Sequence, residues 1–262
     1  MGDILRSLGA GQDDMTTRIR TPIKLNGGPT IDQFWGSVSN IYLIADEKNN
    51  STCLVDCGLA SDAGAIIRAL KSRPLRKVIC THFHIDHISG WKKIRQTFPK
   101  ASIHFHEKAR PYVKGDKRIP WPCLRDFTQI LWPVMKEYRY CPISSFGQLL
   151  AWNLYGSPLR RGFPSENVQH FGTGAGVLPG FQVLHTPGHR PDAVCLLHRE
   201  SGALISGDFL VVLNGRLLAN PYLDDADAQR DSLTSIKSIK DIRLIFPGHG
   251  RVIDVTHTWP DF

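Results

Sequence analysis

The sequence lacks the features of a membrane-spanning or exported protein. It has no apolar run of about 18 residues, so no transmembrane helix is predicted. Its first residues, MGDILRSLGAGQDDMTTRIR, carry charges throughout and lack the apolar stretch of a signal peptide. We therefore expect a cytoplasmic protein.

Cysteine is sparse and has no functional spacing. The six cysteines are scattered, without the paired spacing of a zinc ribbon or a redox motif. Cys53 and Cys57 flank one predicted strand, and a separation of about 13 Å along that strand is too long for a disulfide. Reduced thiols are expected, in agreement with a cytoplasmic location.

The sequence does have the composition of a globular protein. Its 262 residues are 42% hydrophobic and 21% charged, enough for a substantial core, and we predict one domain over residues 1–262. The net charge of +8 is uneven, because residues 107–161 hold ten Lys and Arg against four Asp and Glu. This basic segment is either a solvated face or a surface that binds an anionic group.

Short apolar runs alternate with helical patterns, which is typical of an α/β fold. Ser61 is expected to cap a helix that stops before Pro74, and Ser89 to cap a second helix. The predicted strands are residues 41–45, 52–56, 77–81, 101–105, 193–197, 203–208 and 242–246, and a later helix is predicted near residues 224–238. The chain thus consists of two similar halves, which could pack sheet to sheet and bring their loops to one edge.

One loop concentrates metal-ligating side chains. The stretch THFHIDHISG, residues 81–90, contains His82, His84, Asp86 and His87 directly after a predicted strand. A lone histidine after a strand is usually a hydrogen-bonded structural residue. Four ligand-type side chains within six positions instead predict a metal site.

Three further candidates follow strands in the same way. They are His189 in HTPGHRPD, Asp208 in ALISGD and His249 in IRLIFPGHG, and glycine adjoins each of them. Glycine permits the tight turns that aim such side chains inward. The other histidines lie within or beside apolar strands or in the tail and are expected to be structural or on the surface: His104, His106, His170, His185, His198 and His257.

The motifs THFHIDHISG, TPGH, SGD and PGHG together resemble those of the metallo-β-lactamase-fold hydrolases. The resemblance covers residues 36–252 and implies a four-layer αβ/βα sandwich. It implies that His82, His84 and His189 hold a first metal. It further implies that Asp86, His87 and His249 hold a second metal, that Asp208 bridges both, and that Asp56 supports the ligand loop from behind.

Imidazole and carboxylate ligands without thiolate suit two zinc ions, and also iron or manganese. In such a site a water shared by both metals becomes the nucleophile, and Asp86 can orient it. The resemblance therefore implies a metal-dependent hydrolase that acts on a small molecule.

Differences between this sequence and individual members of the family narrow the range of possible substrates. β-Lactamases of this fold lack the bridging aspartate, glyoxalase II-like enzymes carry a longer segment after the last histidine, and lactonases have a tyrosine soon after the bridging aspartate. Hydrolysis of an ester, lactone or thioester remains the preferred hypothesis. The alternatives are a phosphodiesterase or nuclease, a mononuclear iron persulfide dioxygenase and a β-lactamase. Nucleic acid is not expected to be a partner.

Residues 107–165 interrupt the pattern and are predicted to form a mostly helical inserted cap. The segment is rich in aromatic residues and contains two helical patterns, residues 127–138, interrupted at Pro133, and residues 145–156. Three roles remain open: a lid over an apolar substrate pocket, a satellite core, or a surface that contacts a second copy in a homodimer or a membrane. A lid could also offer a cation to an anionic group, and the candidates are Arg110, Lys117, Arg118, Arg160 and Arg161.

Overall fold

Two β-sheets face each other at the centre of the protein. The computed structural model describes residues 18–19, 22–46, 50–70, 73–138 and 154–256. The first sheet has seven strands in chain order, antiparallel from β1 to β4 and parallel from β4 to β7. Its strands are β1 (Ile23–Lys24), β2 (Thr30–Trp35), β3 (Asn40–Asp46), β4 (Ser51–Val55), β5 (Leu75–Ile79), β6 (Ser102–His106) and β7 (Val168–Phe171).

The second sheet has five strands in the order β14-β13-β10-β9-β8, and a separate hairpin is formed by β11 and β12. Strands β10 and β13 are parallel, so the loops that follow them leave the sheet at the same edge. The strands are β8 (Phe181–His185), β9 (Val194–His198), β10 (Ala203–Gly207), β11 (Leu210–Leu213), β12 (Arg216–Ala219), β13 (Leu244–Pro247) and β14 (Ile253–Asp254).

The helices are short apart from the last one. They are α1 (Ala63–Leu70), α2 (Ile85–Ile88), α3 (Trp91–Thr97), a 3₁₀ turn (Glu107–Ala109) leading into α4 (Arg110–Lys114), α5 (Leu124–Asp126), a π turn (Phe127–Leu131), α6 (Trp132–Glu137) and α7 (Ala226–Lys237). Within the described part of the chain, no helix is long and apolar enough to cross a membrane.

Alternating burial along the strands creates the layers. In β3, Tyr42 and Ile44 enter a core shared with Leu196 and Phe246 of the opposite sheet. Their neighbours in β3 enter an outer core with the apolar faces of α1 and α3. The outer face of the second sheet packs against Ile236 of α7 in the same way. The order of layers is therefore helix, sheet, sheet, helix, which confirms the predicted α/β sandwich.

Two predicted helix features were wrong. Ser89 does not cap α3, because its hydroxyl bonds back to the carbonyl of Ile85, the first residue of α2, and Gly90 occupies the cap position without a side-chain bond. Pro133 does not interrupt its helix. The preceding turn, Phe127–Leu131, is π-helical, and Pro133 falls in the first turn of α6, where its missing N–H costs little.

In the segment 107–165, residues 107–114 and 124–137 are helical, whereas residues 115–123 and 154–165 are not. Ile130 and Val134 pack against Val211 and Leu213 of β11, which fixes this helical segment to the second half of the chain. The predicted helix 145–156 lies mostly outside the described residues, as do Cys141 and His257. The other five cysteines form no disulfide.

Candidate metal centre

The seven predicted ligands lie in the segments that follow four strands. After β5, His82 and His84 lie in a loop and Asp86 and His87 in α2, while His189, Asp208 and His249 follow β8, β10 and β13. The structure brings these seven side chains together in two adjoining groups. All are buried except Asp86, which is partly exposed.

The first group comprises His82, His84, His189 and Asp208, whose ligand atoms lie within 4.8 Å of one another. His82 Nε2 is 3.1 Å from His84 Nδ1, His189 Nε2 is 3.3 Å from His82 Nε2, and His189 Nε2 is 3.1 Å from His84 Nδ1. Ligands about 2.0–2.1 Å from a tetrahedral zinc ion are separated by about 3.3 Å. The triangle of nitrogens therefore has the dimensions of one face of such a site.

The second group comprises Asp86, His87 and His249, and Asp208 joins it to the first. Asp208 Oδ2 lies 3.0 Å from His249 Nε2 and 3.8 Å from His82 Nε2, while its Oδ1 lies 3.2 Å from His87 Nε2. Asp86 Oδ2 is 3.5 Å from His87 Nε2 and 3.6 Å from His249 Nε2. The Asp208 carboxylate can thus contact a cation in either group.

Hydrogen bonds to the ring nitrogens that face away from the cluster show which nitrogens are available to bind a cation. Nδ1 of His189 lies 2.6 Å from the Tyr222 carbonyl, and Nδ1 of His249 lies 2.6 Å from the Val38 carbonyl. A carbonyl only accepts, so both Nδ1 atoms carry a hydrogen, and both Nε2 atoms face inward as the ring nitrogens available to a cation.

His82 and His87 are oriented similarly by Asp56. The Asp56 carboxylate accepts from His87 Nδ1 at 2.8 Å and from the Thr81 hydroxyl at 2.8 Å, and that hydroxyl lies 3.1 Å from His82 Nδ1. Since the Thr81 hydrogen is used on Asp56, Thr81 must accept from His82. Four imidazole Nε2 atoms and two carboxylates therefore face one another, an arrangement that suits the binding of cations.

Asp56 has an unusual backbone conformation for this task. Its φ is +63°, a left-handed value that costs free energy for a residue with a side chain. In this conformation the carboxylate accepts from the Thr81 backbone N–H at 2.8 Å as well as from the two side chains. Strain at this position is thus compensated by three hydrogen bonds that hold the ligand loop.

Burial and neighbouring charges tune the ligands. Burial holds the pKa of His82 and His84 well below the usual value and lowers that of His189 to about 4, so these rings are neutral at neutral pH and able to bind a cation. Burial opposes ionisation of Asp208, but the imidazoles of His249 and His87 outweigh it and hold the Asp208 pKa well below its usual range. The Asp208 carboxylate is therefore ionised.

Gly248 is required by the close approach of two loops. A Cβ atom at this position would lie 2.0 Å from Asp208 Oδ1, inside any allowed contact. The loop that carries His249 can therefore approach the Asp208 carboxylate only with glycine here. The motif PGHG predicted a turn, and the structure adds this steric reason.

Several residues around the site were not predicted from the sequence. The Tyr222 ring stacks on His84 with centroids 5.7 Å apart, and its carbonyl orients His189. The Tyr138 hydroxyl lies 3.0 Å from Asn40 Oδ1 and accepts from the Gly250 N–H at 2.9 Å, beside His249. Backbone carbonyls carry no sequence signal, and Tyr222 lies far from the motif of Asp208. Neither contact could be inferred from the sequence.

A buried arginine joins two loops of the first group. Arg190 follows His189 directly, is fully buried, and pairs with Asp224 at 2.5 Å. The backbone N–H of Asp224 also donates to the Gly188 carbonyl. The loop that offers the Tyr222 carbonyl is thus attached on both sides to the loop that carries His189.

Fold and site together define a class of α/β proteins that present clustered His and Asp side chains at the edge of two facing sheets. The chain belongs to the metallo-beta-lactamase superfamily, whose family model matches residues 35–249. This membership confirms the resemblance inferred from the four motifs.

Individual relatives are distant. The chain is 24% identical over 235 residues to the probable metallo-hydrolase YflN of Bacillus subtilis (strain 168), covering 81% of each chain. It is 24% identical over 212 residues to a hydroxyacylglutathione hydrolase of Pelagibacter ubique (strain HTCC1062), covering 79% of this chain. The match spans 65% of that hydrolase and 64% of YobT, an uncharacterized Bacillus subtilis protein that is 25% identical over 67% of this chain.

A solved structure shares the fold. TTHA1623, determined in a di-iron-bound form, superimposes with a TM-score of 0.55 at 21% identity, over 92% of this chain and 98% of that one. An identity this low shows likeness of fold alone.

Proposed function

We propose that this protein is a binuclear zinc-dependent hydrolase that cleaves an ester, lactone or thioester bond of a small, partly apolar substrate. The observation that carries the proposal is the convergence of four imidazole Nε2 atoms on the carboxylates of Asp208 and Asp86. Membership of a superfamily that includes metallo-hydrolases supports hydrolysis.

Each side chain has a proposed role. His82, His84 and His189 would hold one cation, Asp86, His87 and His249 a second, and Asp208 both. When bound, the pair of cations would activate a water molecule and polarise the bond to be broken. Asp86 is the most exposed of the seven, so its carboxylate is the one best placed to accept a proton from that water.

The acyl substrate class rests on relatives and on chemistry. Hydroxyacylglutathione hydrolases are named for cleavage of a thioester, and several match this chain. Esters and lactones undergo the same attack at a carbonyl carbon. A thioester or related acyl compound is therefore the preferred substrate class.

The segment 107–165 is proposed to be a lid for the apolar part of the substrate. Ile130, Val134 and the ring of Tyr222 belong to one apolar cluster, and that ring also stacks on His84. The described helical segment therefore continues an apolar surface up to the first ligand group. Rates measured across esters of increasing acyl length should rise with length, and equal rates for all lengths would contradict the lid.

The metal is proposed to be zinc, although imidazole and carboxylate ligands also suit iron. Metal analysis of the purified protein should find about two zinc ions per chain. A single iron ion per chain would favour the persulfide dioxygenase alternative over hydrolysis.

The decisive experiment is a hydrolysis profile over lactones, thioesters, β-lactams and phosphodiesters, with and without exhaustive chelation. We expect turnover of an acyl substrate, loss of that turnover after chelation, and its recovery on addition of zinc. Turnover that survives complete removal of metal would refute the proposal, and turnover of phosphodiesters alone would refute the acyl class.

A further inference from the structure

Exposed large apolar side chains are concentrated in one short stretch. Trp121 is 68% exposed, Leu124 80%, Phe127 44% and Trp132 56%. The rings of Phe127 and Trp132 lie 6.4 Å apart, and Leu124 precedes Phe127 by one helical turn. These four residues lie within twelve positions of the chain and are here termed the aromatic patch.

The helical segment that carries most of the aromatic patch has large apolar side chains on both sides. Its inner side, with Ile130 and Val134, is buried against β11. Its outer side presents Leu124, Phe127 and Trp132 to solvent, beside polar side chains such as Arg125 and Gln129. A helix that faces water normally has few large apolar side chains on its outer side, so these three indicate a second contact.

Positive charges surround the aromatic patch. The five basic residues of the stretch 114–137 are all exposed, and within the described part of the chain none of them pairs with a carboxylate: Lys114, Lys117, Arg118, Arg125 and Lys136. The same stretch has three acidic residues, Asp116, Asp126 and Glu137, so five positive against three negative charges leave a net charge of +2. The surface around the aromatic patch is therefore positive.

We propose that the aromatic patch binds the surface of an anionic phospholipid bilayer. Tryptophan, phenylalanine and leucine insert at the boundary between headgroups and acyl chains, and interspersed Lys and Arg contact anionic headgroups. An acidic protein partner would pair with the Lys and Arg side chains, but such pairing does not require the exposed rings of Trp121 and Trp132. This proposal concerns binding only and does not depend on the proposed hydrolysis.

The test is sedimentation of the full chain with vesicles of phosphatidylserine and phosphatidylcholine, compared with vesicles of phosphatidylcholine alone. We expect binding to the anionic vesicles at low salt, little binding to the neutral ones, and release of bound protein as salt is added. Equal or absent binding to both vesicle types would overturn the proposal.

Two variants separate the apolar and charged contributions. Trp121→Ala with Trp132→Ala, and Arg118→Gln with Arg125→Gln, should each weaken partition to anionic vesicles by about tenfold or more. The matched controls, Leu218→Ala for an exposed apolar residue on β12 and Lys92→Gln with Lys240→Gln for exposed charge, should bind as the unaltered protein does.

Self-association is the competing use of the aromatic patch. Sedimentation velocity without lipid should show the same oligomeric state for the unaltered protein and for the Trp121→Ala, Trp132→Ala variant. A dimer that this variant converts to a monomer would overturn the proposal in favour of a contact between copies. Both measurements are made without turnover. Membrane binding can therefore be refuted while hydrolysis is confirmed, and hydrolysis can be refuted while membrane binding is confirmed.

Discussion

Asp56 is the residue that holds most of the ligand loop in place. Its two carboxylate oxygens accept from the Thr81 N–H, the Thr81 hydroxyl and His87 Nδ1. Asparagine tolerates the left-handed backbone of this position but replaces one acceptor oxygen with a donor. We expect Asp56→Asn to lower metal affinity by about 10- to 100-fold, measured by competition with a chromogenic chelator.

Asp62 supplies the matched control for Asp56. Its side chain is also fully buried and accepts from Ser37 and from the Leu59 N–H, but it contacts none of the seven ligands. Asp62→Asn should change thermal stability while leaving metal affinity close to that of the unaltered protein. An equal loss of affinity in both variants would mean that Asp56 acts only through general stability.

Asp208 lies between the two groups of ligands, and its removal should weaken cation binding more in the second group than in the first. The first group retains three imidazoles, while the second retains two imidazoles and a partly exposed carboxylate. We expect Asp208→Ala to remain folded, as judged by circular dichroism, and to lose the cation of the second group. Full metal content together with full activity would show that Asp208 is not a bridging ligand.

The helical segment of α5 and α6 is anchored by few side chains, so its attachment can be tested separately from the metal centre. Ile130 is buried against β11, and its truncation to alanine should cost about 2–5 kcal/mol of unfolding free energy. If the segment is a lid, Ile130→Ala should also reduce turnover of long acyl substrates more than that of short ones. Gln129→Ala, on the exposed side, is the control.

At the scale of elements, the sequence predicted what depends on periodic burial and missed what depends on local competition. The strand that includes Tyr42 and Ile44 was predicted because it is a short run of apolar residues, and the structure buries both of its faces. The roles of Ser89 and Pro133 were not predicted correctly. The Ser89 hydroxyl can bond either forward or backward along the chain, and a π turn leaves no trace in the composition of the sequence. Only the packed structure decides between such alternatives.

At the scale of the whole molecule, the convergence of the site follows from topology. Motifs more than 150 residues apart could be assigned to one site, because the loops that carry them follow apolar strands of two facing sheets. The orientation of each ring could not be predicted, since it depends on the carbonyls of Val38 and Tyr222. Any residue type supplies a carbonyl, so position alone determines these partners.

The many buried histidines make the stability of the metal-free protein depend on pH. Burial lowers the pKa of His104, His106 and His189 to about 4 and that of His82 and His84 well below the usual value of 6.5. A histidine with a lowered pKa in the folded state stabilises the protein fully above pH 6.5 and loses that contribution as the pH falls toward the folded value.

His87 and His249 work in the opposite sense. Burial opposes their protonation, but Asp208 raises the pKa of both, so their contribution is lost as the pH rises. Below pH 6.5 this pair is protonated in both the folded and the unfolded state, so among the histidines only those with a lowered pKa contribute to the slope there. We therefore expect the unfolding free energy of the metal-stripped protein, measured in urea, to fall between pH 6.5 and pH 4. His104→Gln with His106→Gln should flatten part of that slope, whereas a stability that is constant or rises with acid would contradict the buried, neutral state of these rings.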